Sequence, residues 1–79
     1  MKVINKLCDL KQGEHAVVSK LSSKGKIRRR LQDIGLVEGT NIECIQKSPL
    51  GDPIAYFIRG AVIALRSEDS SEIYVESDN

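Results

Sequence analysis

The sequence predicts a small, mostly β barrel of five to six short strands, with one short α-helix between the first two strands and a short helical turn before the last. Three observations predict it. The 79 residues suffice for one domain and no more, since independent cores usually need on the order of 50–200 residues. Nine Ile and six Val against seven Leu favour pleated, half-buried surfaces. Short segments that are β-branched, or alternate apolar with polar residues, recur between clusters of turn residues. A single domain over residues 1–79 follows, with its core from about residue 7 to residue 76 and a frayed polar end at Glu76-Ser77-Asp78-Asn79.

The first strand is expected from Glu14 to Leu21, after the turn signal of Gly13, with Ala16 and Val18 at a period of two. The period then changes. Ile27, Leu31 and Ile34 fall at steps of four and three, which places them on one face of a helix over residues 24 to 34. Ser22 or Ser23 is positioned to cap its first N–H groups. Gly35 suits the left-handed residue that ends it, with Leu36 packing back on the final turn.

Four strands follow in quick succession: Thr40 to Lys47, Ile54 to Arg59, Ala61 to Arg66, and Ile73 to Val75. Glu38-Gly39, Pro49 to Pro53, Gly60, and Ser67 to Ser71 punctuate them. Ile42, Cys44, Ile54, Tyr56, Ile58, Ile63, Leu65, Ile73 and Val75 then share the inward face. Curling such strands into a closed or nearly closed barrel removes the edges a small open sheet would expose, and the helix fits as a lid over one end. The alternation that turns Tyr56 inward turns Phe57 outward.

The formal charge of +1 and the 41% apolar content exclude a disordered tail and a surface that is basic all over. The longest uninterrupted apolar run, Ala61 to Leu65, is five residues, against roughly 20 for a membrane-spanning helix. Asn5, Lys6 and Asp9 break the apolar residues near the start, so no signal-peptide core is visible and a cytoplasmic address is expected. Cys8 and Cys44, 36 positions apart with no ligand-spaced neighbours, read as free thiols in a reducing compartment rather than zinc ligands.

Catalytic machinery is not visible. His15 is the single histidine, no serine sits in a GxSxG elbow, and no GxxxxGK phosphate loop occurs. Glu68, Asp69 and Glu72 form an acidic group that reads as a solvated face. No catalytic residue, metal ligand or cofactor site is assigned.

The basic run resists a purely structural account. Residues 20–30 hold six cations and no acid, and residues 67–79 hold five acids and no base. Several of the cations fall in the first turns of the helix, where the backbone dipole disfavours them by about 0.3–1 kcal/mol each. Gly25 adds a further cost of about 1 kcal/mol relative to Ala, and Lys26 and Arg30 are like charges one turn apart. Local rules broken together point to an interaction surface. Lys24, Lys26, Arg28 and Arg29 are the candidate partner-binding residues, with Phe57 as a candidate apolar anchor. Arg30 flanks the apolar stripe closely enough to reach an acid on the barrel, and Arg29 is spaced to pair with Asp33. The acidic tail is placed to compete for the basic patch.

The stretch Arg30-Leu31-Gln32-Asp33-Ile34-Gly35-Leu36-Val37-Glu38-Gly39-Thr40-Asn41-Ile42 resembles the RRL-x-x-x-GL-x-x-GT-x-I signature of the ferrous iron transport protein A (FeoA) family. The resemblance continues through Pro49-Leu50-Gly51-Asp52-Pro53, Arg59-Gly60 and Ala64-Leu65-Arg66, and ends on Ile73 and Val75. It covers nearly the whole chain. What it implies is a Src-homology-3-like (SH3-like) barrel, cytoplasmic and not an enzyme, that assists the FeoB ferrous iron transporter by binding its cytoplasmic region. Arg30, Leu31, Gly35, Leu36, Gly39, Gly51, Asp52, Pro53, Arg59, Gly60 and Arg66 are the motif residues, and most of them specify the fold. Phe57 departs from the polar residue expected there. Transition-metal binding is associated with the family, and this sequence shows no ligand set for it. A related module forms the C-terminal domain of some iron-dependent repressors. The alternative reading is therefore a freestanding regulatory module of that kind, or a small barrel contacting nucleic acid through its cations and Tyr56 or Phe57.

Overall fold

A computed structural model describes residues 2–78. Six antiparallel strands run in the order β1 (Lys2–Lys6), β2 (His15–Leu21), β3 (Asn41–Lys47), β4 (Ile54–Ile58), β5 (Ala61–Leu65) and β6 (Ile73–Asp78). A 3-10 turn at Leu7–Asp9 follows β1, α1 (Gly25–Asp33) lies between β2 and β3, and α2 (Ser67–Ser70) precedes β6. The hydrogen-bonded order is β1-β6-β2-β3-β4-β5. The sheet curls on itself with the help of two register shifts, at Ser19 between β2 and β6 and at Ile45 between β3 and β4, since a bulge adds local twist and bend. This is the small, SH3-like barrel that the sequence implies.

The core is the inward set the alternation predicts. Ala16, Val18, Ile42, Cys44, Ile54, Tyr56, Ile58, Leu65, Ile73 and Val75 are buried, and Ile63 packs against them half-buried. Leu7, which opens the 3-10 turn, and Leu10, which follows it, join the same buried cluster together with Leu31 and Leu36.

Four expectations need correction. The first concerns the chain's two ends. Lys2–Lys6 is a strand, and the segment expected to fray is its partner, with Lys2 opposite Asp78, Val3 opposite Ser77 and Ile4 opposite Glu76. A peripheral strand of this kind depends on pairing between distant parts of the chain, so neither half carries a strong local pattern. The acidic tail is thereby held in the sheet as far as Asp78; Asn79 lies outside the described residues.

The second concerns the helix start. The cap residue is Lys24, and no side chain caps the helix. Ser22 instead donates to the carbonyl and carboxylate of Glu72, while the buried Ser23 hydroxyl has no hydrogen-bond partner. The third concerns the stripe: Leu31 is buried and Ile34 half-buried, yet Ile27 is 48% exposed. Only the last turn of α1 sits on the core. Finally, β1 and β5 terminate the strand order without pairing to each other, so two sheet edges remain open.

The helix end forms as its sequence predicts. Gly35 lies at φ 101°, its N–H reaches the Gln32 carbonyl at 3.0 Å, and the Leu36 N–H reaches the Leu31 carbonyl at 3.0 Å. These are the two bonds of a Schellman motif, which satisfies carbonyls the helix leaves open. The Thr40 hydroxyl donates to the Gly35 carbonyl at 2.8 Å, and Gly39 N–H bonds the Val18 carbonyl at 2.8 Å, stitching this loop to β2.

Candidate partner-binding surfaces

The exposed start of α1 concentrates the positive charge. Residues 24 to 30 are all exposed, and the first turn contains no acid. Two of the cations there are engaged. Arg28 donates from Nη1 to the Leu21 carbonyl at 2.9 Å, tying the helix to the end of β2. Arg30 Nη2 lies 2.9 Å from Asp69 Oδ2, pairing α1 with α2, the acidic contact that its flanking position allowed. Arg29 does not pair with Asp33. Among the described residues, Lys24, Lys26 and Arg29 make no ion pair, and the side chain of Ile27, which lies between them in sequence, is exposed.

A shallow groove adjoins this helix start, lined by Ser22, Ser23, Lys24, Ile27, Glu68, Asp69 and Glu72. Basic and acidic segments thus meet there, with Glu68 and Asp69 supplied by α2 and Glu72 by the turn after it. The three carboxylates do not form a metal centre: among the described residues no group of three or more His, Cys, Asp or Glu is placed to hold a metal ion.

Phe57 lies elsewhere. On the outer face of β4 it is 43% exposed and stands between Glu43 of β3 and Val62 of β5. It borders a broader groove with Val17, Val37, Asn41, Glu43 and Arg59. His15 is at the rim of the same groove, its Nε2 3.8 Å from Glu43 Oε1. The structure therefore does not gather the candidate residues into one site: Phe57 lines one groove, Lys24 another, and Lys26, Arg28 and Arg29 line neither. Tyr56, the other candidate platform for a base, is fully buried and has no face to offer.

Apart from Arg30 and Leu31 in α1, the motif residues are dispersed through the connections between elements. Asp52 accepts the Ser67 N–H on Oδ1 at 2.7 Å and so caps α2 from a distant loop. Arg59 and Gly60, at φ 49° and 86°, form the two-residue turn between β4 and β5. Sequence reasoning did not anticipate that the Arg59 side chain lies over Gly35; no local pattern signals a contact across 24 positions.

Comparison with known proteins gives the surfaces a context. The FeoA domain family matches residues 5–77. A Porphyromonas gingivalis protein named as a fusion of Fe(2+) transport protein A with the Fe(2+) transporter FeoB is 37% identical over 71 residues, covering 90% of this chain and 8% of that protein. The chain thus spans a small fraction of that relative. The solution structure of a FeoA protein from Chlorobium tepidum superposes with a TM-score of 0.84 at 37% identity, covering 90% of this chain and 68% of that one. A zinc complex of FeoA from Stenotrophomonas maltophilia, described as a prokaryotic SH3 domain protein and a candidate ferrous iron transport activating factor, superposes with a TM-score of 0.78 at 25% identity, covering 90% of this chain and 93% of that one. Among the described residues, no helix is long and apolar enough to cross a membrane.

Proposed function

The chain belongs to the FeoA domain family, and from that membership we propose that it is a non-enzymatic accessory of ferrous iron transport that acts by binding the cytoplasmic region of a FeoB-type transporter. Its place is then the cytoplasm, peripheral to the membrane through its partner. The observation that carries this reading is the relative in which both modules share one polypeptide. A covalent link raises the effective concentration of one module at the other to roughly millimolar. Without such a link, that proximity comes from affinity between the two surfaces.

Lys24, Lys26 and Arg29 are the groups available to supply it, since none of them makes an ion pair among the described residues. Charge held at the surface and left unpaired accelerates encounter with a complementary partner and fixes orientation. Arg28 supports the same surface while holding the helix to β2. Action is by association, with no covalent step.

Titration of the chain against the transporter's cytoplasmic domain and against the intact transporter tests the proposal. Binding that weakens with salt is expected, and Lys26→Glu with Arg29→Glu should weaken it by about tenfold or more while leaving the melting temperature unchanged. Absence of binding to either form at low salt and micromolar concentration would sink the reading. An unaffected double variant would move the docking surface away from α1.

A further inference from the structure

The two open edges of the sheet are built differently. At one end, β1 carries Lys2 and Lys6, the kind of charge with which edge strands repel a second chain. At the other, β5 reads Ala61-Val62-Ile63-Ala64-Leu65, with no charge, no proline and an unbroken register against β4. The β4–β5 turn has two residues, so Ile58 and Ala61 form the hydrogen-bonded pair beside it and such pairs recur at Tyr56–Ile63 and Ile54–Leu65. The main-chain N–H and C=O groups of Val62 and Ala64 therefore point away from β4. Among the described residues, no loop or turn takes them up.

Side chains extend this template onto the outer face. Val62 is 65% exposed and stands opposite the exposed ring of Phe57, while Ala64 stands opposite Ala55. The outer face of the hairpin is thus apolar up to its edge.

We propose that β5 pairs with β5 of a second copy of this chain, antiparallel and two-fold symmetric about Ile63. In that register Val62 of each copy opposes Ala64 of the other, and both pairs exchange the N–H···O bonds that β4 leaves free. Larger side chains meet smaller ones across the seam, giving a continuous outer row of Phe57 and Val62 from one copy with Ala64 and Ala55 from the other. No charge lies on the paired segment. Beyond it, the turn at Arg59 and Gly60 comes opposite Arg66 and Ser67 of the other copy. Glu68, exposed and outside every ion pair among the described residues, follows there and offers one carboxylate to two guanidiniums. Five residues of edge fall at or below the low end of stable interfaces, which bury about 1,200 Å² or more. The dimer is therefore weak and forms with rising concentration. The paired strand itself takes no part in docking through α1, although Glu68 also borders the groove beside the helix start.

Sedimentation equilibrium from about 10 µM to 1 mM, with amide hydrogen exchange at both limits, tests it. Expected are a rising dimer fraction and a concentration-dependent gain of protection at Val62 and Ala64, against no change at Ile63 and Leu65. Ala64→Pro removes an outward N–H without touching the β4 ladder, and Val62→Lys places a charge on the edge. Each should weaken the dimer by about tenfold or more, with an unchanged melting temperature at low concentration. A monomer throughout the range overturns the proposal, and so does a dimer that survives both substitutions. Protection of Val62 and Ala64 that appears only when the transporter's cytoplasmic domain is added would also overturn it, by assigning the edge to a strand of that partner.

Discussion

Arg59 lies across Gly35, so close that a Cβ on residue 35 would sit 2.5 Å from Arg59 Cδ and 3.3 Å from its Cγ. Both residues have positive φ, 49° at Arg59 and 101° at Gly35. The contact joins the end of α1 to the β4–β5 turn, linking the helix carrying the basic run to the hairpin carrying Phe57.

Gly35→Ala should cost about 1–2 kcal/mol from backbone conformation alone, because φ near 101° suits no L side chain and the Schellman bonds depend on it. The new methyl also displaces the Arg59 stem. Combining Gly35→Ala with Arg59→Ala should recover the steric share and leave the conformational share. Urea denaturation of the two single variants and the double variant measures the split; full recovery would show that the backbone is indifferent to glycine.

Arg59→Asn separates the turn from the contact. Two-residue turns with both φ positive favour Asn-Gly, so this substitution relieves conformational strain while losing the stem over Gly35. The expected net change in stability is within about 0.5 kcal/mol, with increased exchange at the Gly35 and Leu36 amides. A loss of several kcal/mol would show that Arg59 has a structural role beyond this contact.

The Arg30–Asp69 pair is half open, with the two side chains 63% and 14% exposed. Its coupling, measured by a double-mutant cycle with Arg30→Ala and Asp69→Ala, should be about 0.5–1 kcal/mol and should shrink in high salt. Removing Asp69 adds an unpaired cation beside Lys26 and Arg29, so the same variant should strengthen binding to an acidic partner. Weaker binding would place Asp69 itself in the contact.

The helix end, the strand interiors and the outward turn of Phe57 are legible in the sequence because each rests on local spacing: a Gly-Leu after an apolar stripe, or alternation over a few residues. The pairing of Lys2–Lys6 with the last strand is not, since its bonds join residues more than 65 positions apart. The helix cap misled for a related reason. Ser22 is committed to Glu72, 50 positions away, and a remote partner outcompetes the local role that its position suggests. The candidate surfaces divide in the same way: charge composition exposes the basic run, whereas only the fold reveals which of its members are already paired.

Cys44 is fully buried and Cys8 half-buried, and burial is the leading cause that pushes both thiols above their ordinary range. The neighbouring Asp9 carboxylate pushes Cys8 further in the same direction. Both should react slowly with a thiol-specific disulfide reagent at neutral pH, Cys8 directly and Cys44 only through opening of the barrel. Urea below the unfolding transition should therefore accelerate Cys44 far more than Cys8. Equal acceleration would mean that both wait for the same opening.

Tyr56 is fully buried, and its hydroxyl donates to the Leu7 carbonyl across a long 3.4 Å contact. Desolvation in the core is the main cause that raises its pKa well above the ordinary tyrosine value, with the nearby Ser70 hydroxyl opposing it. The folded state therefore holds this proton more tightly than the unfolded chain. Its contribution is fully present below the unfolded tyrosine pKa of about 10 and is lost as pH rises through the folded value. Stability should fall steeply above about pH 10. Tyr56→Phe keeps the ring, forgoes the weak bond to Leu7 at a cost of about 0.5–1.5 kcal/mol near neutrality, and removes one of the three groups, with the Cys8 and Cys44 thiols, whose raised pKa makes alkali destabilising. The variant should be the less stable protein at pH 7 and should lose less stability between about pH 9 and pH 12. Parallel urea curves for the two proteins across that interval, with no narrowing of the gap, would show that another buried group governs the alkaline transition.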